Sequence, residues 1–132
     1  MADTRELSLE QIEGSAWGDA PADASTLIST VHRLRRQPVG SLDAEDLRVL
    51  IGQRVGLPVL VSRALDLLQN DPLVEGAYYP GDLLAAVLRV PAEHWSARPQ
   101  ELARLRALLP TVDLDDIDDD LRADVVAFRS QA

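Results

Sequence analysis

The chain has no cysteine and no lysine, and carries only five aromatic side chains and two histidines in 132 residues. Without cysteine there can be neither a disulfide framework nor a thiolate metal site. Without lysine, all 13 basic residues are arginine, which genomic base composition explains without any functional reason. No run of 18 apolar residues occurs, so no segment reads as membrane-spanning. The polar start, MADTRELSLEQ, lacks the apolar stretch of a secretory leader, and the whole reads as cytoplasmic. Two histidines leave little material for base-assisted nucleophilic catalysis. His32 sits in a helical run beside Arg33, Arg35 and Arg36, and His94 stands next to Trp95; both read as structural. No nucleophile elbow, phosphate-binding glycine loop or paired-histidine zinc motif occurs. The expectation is a non-enzyme with no cofactor and no metal.

Leucine dominates what is present, with 22 copies, and leucine and alanine together favour helix over strand. Ser8 with Gln11 forms a capping-box pattern for a short helix ending at Gly14. Trp17 and Gly18 mark a loop with an aromatic anchor. Leu27, Ile28, Val31 and Leu34 recur at helical spacing until Pro38 ends the run. Asp43 suits the N-cap of a helix striped by Leu47, Leu50 and Ile51, with Gly56 as its stop. Pro58 fits the first turn of the next helix, which carries Val61, Ala64, Leu65 and Leu68 and ends at Asn70. Asp82 reads as the cap of a helix with Leu83, Leu84, Val87 and Leu88 inward. Pro91 opens a short turn around His94 and Trp95, and Pro99 opens a helix with Leu102, Leu105, Leu108 and Leu109 inward. Leu114, Ile117, Leu121, Val125 and Phe128 then repeat at three- and four-residue steps, predicting a helix from about Asp116. The fold expected is all-α: a compact single-domain bundle of about six to eight short helices over residues 1–132.

Net charge is −9 and unevenly spread. Residues 113–132 hold seven aspartates against two arginines, contributing −5, and the first 112 residues contribute the remaining −4. Such a chain is repelled by phosphate backbones, which argues against direct nucleic-acid binding and for a basic protein partner, a nuclease domain being one. Asp113, Asp115, Asp116, Asp118, Asp119, Asp120 and Asp124 are therefore candidate partner-binding residues, set against the plainer reading of a solvated helix face. A calcium loop starting at Asp113 fails, since Ile117 and Asp118 stand where an oxygen ligand and a glycine are required. The arginines at 33, 35 and 36 complement a helix dipole, and that reading suffices for them.

Residues 73–91, LVEGAYYPGDLLAAVLRVP, are not explained by composition. Together with LEQIEG and the Trp17–Gly18 pair behind it, HRLRRQPV at 32–39 and DLRVLIGQRVGLPVLV at 46–61, they resemble the immunity proteins of bacterial contact-dependent growth inhibition systems. The resemblance covers roughly residues 9–109. It implies a protein that binds one toxin domain and blocks it, the partner being the toxin's C-terminal domain. Within it, Trp17, Tyr78, Tyr79, Pro80, Gly81, Asp82 and Trp95 read as structural motif, with both tryptophans and at least one tyrosine in the core. Toxin specificity is then expected on exposed positions outside the shared motifs, residues 113–124 first. A helical adaptor or regulatory subunit would account equally well for the acidic tail and the missing catalytic groups, but not for the resemblance. A small carboxylate-based enzyme is the weakest alternative.

Overall fold

A computed structural model describes residues 4–130; the first three residues of the polar start and the last two of the chain lie outside it. Eight α-helices follow one another among the described residues: α1 (Leu9–Glu13), α2 (Thr26–Leu34), α3 (Ala44–Gly52), α4 (Leu57–Asn70), α5 (Asp82–Leu88), α6 (Ala92–Ala97), α7 (Pro99–Leu108) and α8 (Asp119–Arg129). One 3-10 turn precedes α1 and three lie between later helices, and no strand occurs among the described residues, only isolated bridges between Ser8 and Pro38 and between Glu75 and Pro80. The fold is all-α, as the leucine-rich, aromatic-poor composition requires.

Local chemistry sets most of the boundaries. Ser8 Oγ accepts from the Gln11 N–H while the Gln11 side chain accepts from the Ser8 N–H, and Gly14 closes α1 in the left-handed region. Ser25 caps α2, and Asp43 and Asp46 form a second reciprocal box at α3. Proline lies in the first turn of α4 and α7, where a missing N–H costs nothing. Two boundaries differ from the sequence expectation. The acidic helix starts at Asp119, capped by Asp118, because 114–116 close a separate 3-10 turn. At the end of α3, Gly56 is not the stop. Arg54 N–H donates to Ile51 O and Val55 N–H to Leu50 O, and Arg54 takes the left-handed conformation (φ 59°) that such an ending normally gives to glycine. Gly56, also left-handed, begins α4 instead.

Helix α3 packs on α2, α4 and α5; α4 carries α7 on its other side; α8 rests on α5. The buried side chains form one cluster running from Leu9 to Phe128, so the acidic segment is anchored in the common core through Ile117, Leu121, Val125 and Phe128. Trp95 is buried among them, edge-on to both His94 and Phe128. In α2 only Val31 and Leu34 are buried, while Leu27 and Ile28 each remain 40% exposed. Periodicity identifies the apolar face of a helix, not how far its neighbours extend along it.

Candidate functional site

The loop between α4 and α5 is built around one carboxylate. Asp82 is almost fully buried, yet it does not cap its own helix: Gly81 occupies the N-cap, and the Asp82 oxygens turn back to accept from the N–H groups of Gly76 (2.6 Å), Tyr78 (3.0 Å) and Tyr79 (3.5 Å). Glu45 of α3 adds a fourth tie by accepting from the Ala77 N–H at 2.9 Å. Both carboxylates approach Gly76 so closely that a side chain there would meet them, and a Cβ on left-handed Gly81 would run into Leu121 of α8. YYPG is therefore a rigid platform set on α3 and α5 and abutting α8.

Neither tyrosine is in the core. Tyr78 is 71% exposed, with the Arg48 guanidinium carbon 4.6 Å from its ring centroid, and Tyr79 is half-buried. A carboxylate placed where Asp82 is needs the loop's N–H groups nearby, and turning those inward turns the side chains out. Glu45 holds Arg48 in place through two 2.6 Å bonds. Between this platform, α3 and α5 lies a cleft of about 300 Å³, floored by Ile51, Gly52, Ala85 and Ala86 and walled by Arg48, Arg54, Arg89, both tyrosines and Asp82.

The aspartates divide by role. Asp113 and Asp118 cap backbone N–H groups, Asp119 pairs with Arg122, and Asp124 pairs with Arg89 at 3.3 Å. Asp115, Asp116 and Asp120 are exposed, and their carboxylates make no hydrogen bond or ion pair among the described residues. Burial raises the Tyr79 phenol above its ordinary pKa, with Asp118 pushing the same way and Arg89 opposing. Arg89, which lines the cleft with both tyrosines, also ties that cleft to the acidic helix through Asp124.

Trp17 belongs to a different corner. It is 46% exposed rather than core, lying 3.9 Å over the Arg35 guanidinium and edge-on to His32. Arg35 itself is completely buried, which the dipole reading of the arginine cluster did not anticipate. It donates to Glu13 (2.6 Å) and to the Ser15 carbonyl (3.1 Å), fastening the loop after α1 to the end of α2. Both histidines have structural partners, His32 at the Gly18 carbonyl and His94 at Glu101. Sequence reasoning also missed Glu45, Arg48, Arg54 and Arg89. The three-residue spacing of Glu45 and Arg48 was the one available signal, and it is common on any helix surface.

Acid weakens the platform. The Arg48 hydrogen bonds hold the Glu45 carboxyl below its ordinary value of 4.5, burial opposing and the Ala77 N–H assisting. A depressed carboxylate contributes stability that is complete above its unfolded value and lost as pH falls through the lower folded one. Glu45 is about one-third exposed, so Glu45→Gln should cost less than about 1 kcal/mol at neutral pH, and nothing once the carboxyl is protonated in both states. Asp46 shifts the opposite way through burial, so comparing the two proteins isolates Glu45. Urea unfolding from about pH 3 to about pH 7 checks this; a gap that stays constant across the range contradicts it.

Among the described residues no three His, Asp or Glu side chains are grouped to hold a metal, and no helix is long and apolar enough to cross a membrane. What the surface offers is exposed tyrosine, guanidinium and carboxylate groups carried on a helical scaffold, the equipment of a protein-recognition domain. Residues 11–105 match the family model of the CDI immunity proteins, and the chain belongs to that family. It is accordingly a toxin-neutralising immunity protein whose partner is a cognate CDI toxin domain. No curated protein matches the chain.

Proposed function

We propose that the chain neutralises its toxin in the cytoplasm by stoichiometric contact, that the toxin domain is basic and cleaves nucleic acid, and that residues 113–124 dock onto its substrate-binding surface. The observation that carries this reading is the set of exposed, unpaired carboxylates at Asp115, Asp116 and Asp120, on a segment outside the family-matched residues 11–105. A scaffold shared by proteins that each meet a different toxin places discrimination where the sharing stops. The excess of aspartate at that end mimics a nucleic-acid backbone and draws a basic partner in through its field. Ile117, Leu121 and Val125 fix the charges to the core, so little is lost in ordering them on binding.

Asp115, Asp116 and Asp120 neither cap nor pair, so replacing all three with asparagine leaves the fold intact. The triple variant should bind the toxin domain with an association rate lower by about tenfold at low salt, and raising salt should bring the unaltered chain towards the same value. Stopped-flow association reads both. A rate indifferent to salt and to the substitutions removes the electrostatic docking and leaves the immunity role standing.

A further inference from the structure

We infer that the cleft between α3 and α5 receives an aspartate or glutamate side chain of the cognate toxin domain, as a second anchor opposite in sign to the acidic segment. The inference rests on the toxin-binding reading above and names what that toxin must bring. In a chain of net charge −9, three arginines line one cleft of about 300 Å³, room for a side chain and its water. Their existing partners leave guanidinium donors unused. Glu45 occupies Nε and Nη2 of Arg48, and Asp124 pairs with Arg89 through Nη2 alone, while Arg54 makes no hydrogen bond or ion pair among the described residues. Asp82, the one carboxylate in the wall, has its oxygens taken up by the loop's own N–H groups and lies 4.0 Å from Arg48 Nε. Glu45, Asp82 and Asp124 thus offset the three arginines in formal charge, while Arg54 is left without a partner of its own among the described residues. A single guanidinium without a partner, with further donors free on Arg48 and Arg89, matches a planar carboxylate that takes two bonds at once. A dianionic phosphate or a nucleic-acid strand would meet the same donors against the repulsion of the whole acidic chain.

Arg54 supplies the independent observation. It stands at the left-handed position that ends α3, where glycine is the low-energy residue and any side chain carries strain. A strained arginine that bonds nothing among the described residues, at the mouth of a cleft with tyrosine walls, is kept there for something outside the chain. Tyr78 beside Arg48 adds the pairing of residue types that most often dominates protein contacts.

The test sets two readouts against each other in one variant. Arg54→Gly removes the guanidinium and the strain together, so its urea midpoint should equal or exceed that of the unaltered chain. Its Kd for the toxin domain encoded by the gene immediately upstream, measured by calorimetry, should rise by about tenfold to a hundredfold. One Asp or Glu of that domain, changed to alanine, should weaken binding to the unaltered chain and have no further effect against Arg54→Gly. Arg89→Gln, on an exposed side chain, gives the same comparison should Arg54→Gly lower the midpoint. A Kd within about twofold of the original in both variants, or no toxin carboxylate coupled to either arginine, overturns the inference. Failure of the unaltered chain to bind the domain at all would be a different result, and would overturn the toxin-binding reading with it.

Discussion

Arg35→Ala should lower the free energy of unfolding by about 3 kcal/mol, the cost of breaking an ion pair with one fully buried member. The side chain is 0% exposed and makes three kinds of contact at once. It hydrogen-bonds Glu13 and the Ser15 carbonyl, approaches Glu10 at 3.8 Å, and lies against the indole of Trp17. Its Nε and Nη1 are buried with no hydrogen-bond partner, so Glu10 and the indole face are what offset their desolvation. Alanine removes the stem as well as the charge and leaves a cavity under Trp17. Arg35→Met keeps most of the volume and lets Glu13, itself about one-third exposed, take up water, so it should cost less, about 1 kcal/mol. Urea unfolding followed by tryptophan fluorescence measures both. If the two variants cost the same, or alanine costs under about 1 kcal/mol, the contact is no stronger than a surface pair.

Asp82→Ala should cost a similar amount, about 3 kcal/mol, for a different reason. Two short charge-assisted bonds to the backbone, at Gly76 and Tyr78, vanish together, and a third at Tyr79 goes with them. The loop then keeps Glu45 at Ala77, Arg48 against the Tyr78 ring and its own backbone bonds. Asp82→Asn keeps one carbonyl acceptor and should cost about half as much. Amide exchange gives a sharper readout than global stability: the N–H groups of Gly76 and Tyr78 should lose protection in the alanine variant while those in α4 keep it at conditions where both proteins are folded. Protection unchanged at Gly76 would mean the carboxylate does not hold the loop.

Arg35 and Asp82 separate what the sequence displays from what it conceals. Ser8 with Gln11, Asp43, Pro58, Pro91 and Pro99 were legible because a cap or a proline acts within one turn of itself. The leucine stripes of α3, α4 and α8 were legible for the same local reason. Asp82 also lies within six residues of its partners, yet it reads as a cap, because an aspartate before an apolar run fits that role until the loop's path is known. Arg35 depends on Glu13, 22 positions earlier, and only the folded chain, which also ties the Glu10 N–H to the Arg35 carbonyl, brings them together. The cleft is less legible still: Arg48 comes from α3, Arg54 and Arg89 from the ends of α3 and α5, and nothing in their spacing joins them. Tyr78 shows the same limit, since a tyrosine in a turn that matches the family pattern reads as core when its backbone N–H is in fact what faces inward.

The most direct test of neutralisation is growth. The C-terminal domain encoded by the gene immediately upstream should be induced in cells with and without this chain. Arrest in its absence and normal growth in its presence is the expected result. Arrest that persists while the chain is expressed and folded would contradict the assignment of that domain as its partner, and with it the account of how this surface works.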